Sequence, residues 1–222
     1  MIVSNNNKVK LNNIPEELTL LVQWVVWNAI TEKNKTKKVP VDPKTGKSAS
    51  VSDPSTWDSF EQAVSAYQAG GYSGIGFVFT KNDPYVGLDF DDCFNDETLA
   101  PEVLKFVSKL NSYTEISPSG HGLHTIIKGE LPGGGLRHDK IEVYDTGRFF
   151  TVTGDMYDGF ENEIREASDG LKFLLADHFP RREKNIGTNS TILEELFNKN
   201  NGAKLKSLWN GQYLQLGYES QS

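Results

Sequence analysis

The sequence predicts an α+β fold of mixed α/β type. Three observations carry that expectation. Residues 22–30, "VQWVVWNAI", concentrate β-branched and aromatic side chains, as a strand does. Further strand-like segments recur in pairs joined by turn-forming residues, "SGIGFVFT-KNDP-YVGLDFD" and "KIEVYD-TG-RFFTVTG". Helical patterns fall between these pairs rather than after each strand, which argues against a doubly wound parallel sheet.

Taken in order, the strand at 22–30 leads into a Lys-rich segment that reads as a loop. Residues 41–57 are dense in Pro, Gly, Ser and Asp and read as irregular turns. A helix follows, with Ser55 or Asp58 as its cap and Gly70 as its stop. Phe60, Ala63, Val64 and Tyr67 form its buried stripe. Residues 73–80 and 85–91 are strands, expected to pair as a hairpin across "KNDP". "PEVLKFVSKL" is a helix with Pro101 in its first turn. Residues 112–117 and 123–129 are strands joined by "PSGHG", and 140–145 and 148–154 form a second expected hairpin. Residues 170–179 are a helix, 180–190 a linker, and 191–200 a last helix. The expected domain division is therefore 1–180 and 181–222, the second part too small to bury much of a core.

Composition narrows the classes. The chain has 222 residues, 37% hydrophobic, so a substantial core can form. Its one cysteine, Cys93, excludes an internal disulfide framework and points to a reducing compartment. The start, "MIVSNNNKVK", is not a signal peptide, and the most apolar run, residues 18–30, is shorter than the roughly 20 residues of a bilayer span. A soluble, cytoplasmic protein without a membrane partner is expected. The net charge of −7 is unlike the basic footprint of a nucleic-acid binder. Local positive charge gathers at Lys33, Lys35, Lys37 and Lys38 and at Arg181, Arg182 and Lys184, which equally suits solvated loops.

Three segments could carry chemistry. In "VGLDFDDC" strand alternation puts Asp89 and Asp91 on one face, roughly 6–7 Å apart. Two such carboxylates repel unless a divalent cation lies between them, and hard oxygen ligands suit Mg²⁺ or Mn²⁺. The alternative is an exposed strand end, where Asp is common. In "SPSGHGLH", small residues leave backbone N–H groups open to phosphate oxygens, with His124 opening the next strand. The alternative is an ordinary glycine turn. Its His-x-x-His lacks the Glu and helix of a zinc protease. In "KIEVYDTGRFF", Glu142 and Tyr144 share a face, so Glu142 could add a third carboxylate, and Arg148 could hold a phosphate.

As an ordered set these segments resemble the archaeo-eukaryotic primase superfamily, specifically the phage and plasmid primase-polymerases. The three family motifs, Asp-x-Asp/Glu, small-x-His and hydrophobic-Asp/Glu, match Asp89-Phe90-Asp91, Gly122-Leu123-His124 and Ile141-Glu142. Residues 20–160 carry the closer likeness, including "KVPVDPKTGKSAS" and "YTEISPSGHGLH", and "LWNGQY" continues it loosely. The resemblance implies a primase fold, with an RRM-like catalytic sheet packed on an N-terminal αβ unit. It implies a DNA polymerase or primase that transfers dNTPs, or NTPs, onto a primer or a first nucleotide, with single-stranded template DNA as partner, in phage or plasmid replication inside a bacterial host. Asp89, Asp91 and Glu142 would hold two Mg or Mn ions. His124 with Ser117, Ser119, Gly120 and His121 would grip the triphosphate, and Arg148 and Lys38 are further candidates. Residues 1–180 would be the catalytic domain. Relatives continue past the "LWNGQY" region into a helical bundle and often a helicase, a region expected to be absent from this chain. Asp92 departs from the family pattern and receives no role. The rival expectations are a metal-dependent nuclease and a non-catalytic nucleic-acid-binding module stacking bases on Phe149 and Phe150.

Overall fold

The computed structural model describes residues 8–33 and 35–179. The linker and helix expected beyond 179 lie outside the described residues. The described chain is α+β. After a short helix α1 (Glu16–Thr19) come strands β1 (Trp24–Glu32) and β2 (Lys35–Val41), helix α2 (Phe60–Ala69), and strands β3 (Gly74–Val78) and β4 (Tyr85–Phe90). A two-residue ribbon, β5 (Phe94–Asn95) with β6 (Thr98–Leu99), precedes α3 (Pro101–Leu110). Then follow β7 (Thr114–Ile116), β8 (Leu123–Lys128), β9 (Leu136–His138), β10 (Ile141–Tyr144), β11 (Phe149–Val152) and α4 (Ser168–His178). No helix among the described residues is long and apolar enough to cross a membrane.

The strands form two antiparallel sheets, ordered β11-β3-β1-β2 and β7-β8-β4-β10-β9. The five-stranded sheet separates its faces by simple alternation. Val86, Leu88 and Phe90 of β4, Leu123 and Ile127 of β8, and Ile141 and Val143 of β10 pack with Phe106, Val107 and Leu110 of α3 and Leu171 and Leu174 of α4. Tyr85 of β4, Ile126 of β8 and Tyr144 of β10 belong instead to the core built on the four-stranded sheet, with Trp24, Phe77, Phe79 and Phe150. The second face also holds Asp89, His124, Glu142 and Glu115.

Two expected hairpins do not form. β3 pairs with β1 and β11, while β4 pairs with β8 and β10. The segments β3–β4 and β10–β11 instead run side by side as one long ribbon that bends from one sheet into the other. Phe77 faces Phe150 in one sheet, and Asp89 faces Glu142 in the other. At the first bend Asp83 accepts bonds from Thr80 N (3.0 Å), Thr80 Oγ1 (2.8 Å) and Gln23 Nε2 (2.8 Å). At the second, Asp145 pairs with Lys81 Nζ of the first at 2.5 Å. Turn residues thus mark a change of sheet here, a role local sequence cannot separate from a hairpin turn.

Other expectations also need correcting. The Lys-rich segment is strand β2, held by its ladder to β1 from Val26–Val41 to Glu32–Lys35, so cross-strand pairing overrides composition. The cap of α2 is Ser59, whose Oγ accepts from Gln62 N at 3.3 Å. Asp58 is bridged to Trp24 through both backbone groups, and Ser55 lies in a 3₁₀ turn. Gly70 ends α2 with φ 94°, as expected.

Gly87 sits where the two sheets approach. A Cβ there would lie 2.6 Å from Phe150 Cε2 and 2.7 Å from Phe79 Cζ, both in the core. Gly87→Ala is expected to destabilise the protein by about 1–3 kcal/mol through overpacking. Denaturant unfolding reads this directly, and an unchanged midpoint would contradict the close approach.

Candidate active site

Asp89 faces His124 of β8 on one side and Glu142 of β10 on the other. The ladder extends both ways: His124 faces Glu115 of β7, and Glu142 faces Arg137 of β9. One transverse row, Glu115-His124-Asp89-Glu142-Arg137, therefore crosses all five strands. Residues directly opposite in antiparallel strands point to the same side, so the row lies on the face turned away from α3 and α4.

Within the row each group has a defined neighbour. His124 Nε2 lies 3.8 Å from Asp89 Oδ1, and its Nδ1 lies 3.3 Å from Glu115 Oε1. The imidazole packs on Phe150 with centroids 4.9 Å apart. Glu115, buried to 2% side-chain exposure, accepts from Thr153 N (3.0 Å), Gly154 N (2.8 Å) and Tyr113 OH (2.6 Å). Burial, and then the Glu115 charge, pushes the Tyr113 phenol far above its usual range. Glu142 has one oxygen on Arg137 Nε (2.8 Å) and the other on Tyr144 OH (2.7 Å). Glu115 was missed by the sequence reading. Its signal is its place in a hairpin opposite a motif histidine, visible only once the register is known.

Asp91 lies one step past the end of β4, its N–H bonded to Lys140 O at 2.8 Å. Partial burial, then the charges of Asp89 and Glu142, raise its carboxyl above the usual range, while Lys38 pulls the other way. A raised carboxyl lends stability only while protonated. That stability is complete below the ordinary carboxylate range and is lost as pH rises through the raised value. Asp91→Asn is therefore expected to raise the melting temperature at neutral pH in chelator, with no gain at acid pH. A lower melting temperature at neutral pH would contradict the crowding. Asp92 now has a structural account: it takes φ 41° where the chain leaves the strand, a conformation Asp tolerates better than most residues, and pairs with Lys140 at 3.7 Å.

Asp89, His124 and Glu142 line a cleft of about 160 Å³ together with Lys38, Tyr144, Arg148, Phe149, Phe150 and Thr151. The cleft thus brings Lys38 of β2 and Arg148 of the ribbon bend to the same place as the row. Lys38 Nζ lies 3.4 Å from Thr151 Oγ1, and the Arg148 guanidinium lies over the Tyr144 ring at 4.8 Å. Asp91, Ser117, Ser119, Gly120 and His121 do not line it. Their loop is a self-bonded turn beside the strand end: Ser117 N donates to Gly122 O (2.8 Å), the Ser117 and Ser119 hydroxyls are 3.0 Å apart, and His121 O accepts from Cys93 N (2.8 Å). Gly120 has φ 77°. Gly122 is held so close that a Cβ would lie 2.6 Å from Phe90 O. That approach explains the small residue two positions before His124.

No family model matches the chain. A DNA primase-polymerase of Nitratiruptor phage NrS-1 is 35% identical over 170 residues, which cover 72% of this chain. The chain spans 23% of that relative's length.

Proposed function

We propose that the chain belongs with the phage-type primase-polymerases, on its likeness to the NrS-1 phage protein, and that residues 1–180 form a catalytic domain for template-directed nucleotidyl transfer. The observation that carries the proposal is the registered row Glu115-His124-Asp89-Glu142, whose last three members line one cleft with Lys38 and Arg148 while Glu115 is buried behind His124. A primase fold with an RRM-like catalytic sheet on an N-terminal αβ unit belongs to the same reading. A five-stranded antiparallel sheet, backed by two helices and faced by a second sheet, supports it.

The donor set fits hard divalent cations. Asp89 and Asp91 supply carboxylates that crowd one another, as the raised Asp91 carboxyl records. Glu142 would join them by releasing Arg137, whose side chain is 67% exposed and free to swing. Two Mg²⁺ or Mn²⁺ ions held there would neutralise charge on the attacking 3′-hydroxyl and on the departing pyrophosphate. The remaining work belongs to the protein. Glu115 accepts the Nδ1 proton of His124, which fixes the tautomer and turns Nε2 toward the cleft. Nε2, Arg148 and Lys38 then meet the triphosphate oxygens, and the 117–121 loop would join them only by opening its own turn bonds. His124→Ala is expected to raise the KM for dNTP by about 10-fold or more, with DNA affinity unchanged, as fits one lost hydrogen bond to a charged group. An unchanged KM would remove His124 from nucleotide binding.

Partners in this reading are a single-stranded template, a primer and dNTPs or NTPs, in the cytoplasm of a phage- or plasmid-bearing host. Phe150 is 5% exposed and packed on His124, so it offers no open stacking platform of the kind a pure binding module would use. The test is incubation with single-stranded template, labelled nucleotides and Mg²⁺ or Mn²⁺, with and without primer. Incorporation that follows template identity supports the proposal. DNA degradation without incorporation would support a nuclease instead.

A further inference from the structure

On the outer edge of the five-stranded sheet, β9 ends beside the last turn of α4. There His138, Asp139 and His178 offer three ligand atoms that all lie within 4.8 Å of one another. This group shares no residue with the cleft described above. We propose that it is a binding site for a late first-row divalent cation of the zinc class.

The spacing matches such an ion. His138 Nδ1 and His178 Nε2 face each other at 3.4 Å. Two nitrogens bound at 2.0–2.1 Å to a tetrahedral ion are separated by about 3.3–3.4 Å. Asp139 Oδ2 lies 3.6 Å from His138 Nδ1, close enough to serve as the third ligand after a small rotation. The His138 carbonyl, 3.2 Å from His178 Nε2, or a water can complete the set. Two imidazoles and one carboxylate favour zinc-class ions over Mg²⁺ or Mn²⁺, which prefer oxygen alone.

The surroundings hold these groups in place. Asp139 takes φ 48° in the turn between β9 and β10, which sets its carboxylate next to the preceding histidine. Glu102 of α3 lies 3.8 Å from His178 Nδ1, on the far side of the ring from the site. A carboxylate behind a ligating histidine orients the ring and raises its basicity. His178 is the last residue of α4, where the helix dipole favours a cation. Phe179 flanks both rings, at 5.2 Å from His178 and 6.2 Å from His138. Bound metal would pin edge strand β9 to α4, and β9 also carries Arg137, the partner of Glu142.

The experiment titrates the full chain, stripped with chelator, with Zn²⁺ against a chromophoric competitor, and repeats the titration with Co²⁺ to read its visible absorption. The wild type is expected to bind one equivalent at this site with intense tetrahedral Co²⁺ bands. Asp89→Asn should keep that binding, which separates it from the carboxylates of the cleft. His138→Gln and His178→Gln should each weaken it by at least about 10-fold, and the double variant should lose it. Circular dichroism and thermal melting in chelator establish that each variant is folded. Absence of zinc binding by the wild type would overturn the proposal. So would full affinity in the folded double variant, or loss of the bands in Asp89→Asn alone.

Discussion

Replacing Asp89 with asparagine is expected to lower the rate of nucleotide incorporation by at least about 10³-fold, corresponding to the loss of about 4 kcal/mol of transition-state stabilisation. Asp89 is the middle member of the row, flanked by His124 at 3.8 Å and facing Glu142 across the ladder. No neighbour can take over, because Asp91 and Glu142 already serve as the other carboxylates of the same metal set in this reading. The fold should be untouched or slightly firmer. Asp89 is half-buried, with no close donor other than His124 among the described residues, and its charge helps raise the Asp91 carboxyl. A melting temperature in chelator at or above that of the wild type, together with lost activity, is the expected signature. A cooperative loss of both would mean that Asp89 supports the fold instead.

Glu115→Ala should produce the largest stability loss of any substitution in the row. Its carboxylate satisfies Thr153 N, Gly154 N and the buried Tyr113 hydroxyl, and all three lose that acceptor in a largely buried setting. Such a loss costs about 3–5 kcal/mol, or roughly 8–15 °C in melting temperature for a domain of this size. Glu115→Gln preserves the shape and one acceptor, so it should remain folded at assay temperature. It would present an amide to His124 Nδ1 and loosen the ring, and its KM for dNTP should rise while DNA affinity holds. A melting temperature within about 2 °C of the wild type for Glu115→Ala would contradict this role.

Several members of the candidate site stand out in the sequence because they carry their own chemistry. Asp89, His124 and Glu142 stand out as a carboxylate at a strand end, a histidine after a glycine turn and a carboxylate on an alternating strand, and the structure aligns them on adjacent strands. Glu115 did not stand out, since one acidic residue in a short strand has no local signature until its partner strand is known. The same limit explains the two missing hairpins. Asp83 and Asp145 have the composition of hairpin turns, yet they sit where a paired ribbon passes from one sheet to the other, which depends on contacts with Gln23 and Lys81 far along the chain or in the neighbouring bend. β9 went unseen because "LRH" follows three glycines and is ordered only by pairing with β10. Among the expected nucleotide-binding residues, Lys38 and Arg148 reach the cleft, while the 117–121 loop stands beside it.

The central claim is that the row built around Asp89 performs nucleotidyl transfer, and single-turnover incorporation of one labelled dNTP opposite a defined template base tests it most directly. With Mg²⁺ or Mn²⁺ the wild type should add the complementary nucleotide only, and Asp89→Asn, folded and still binding primer-template, should add none at a measurable rate. Incorporation by folded Asp89→Asn at the wild-type rate would contradict the account.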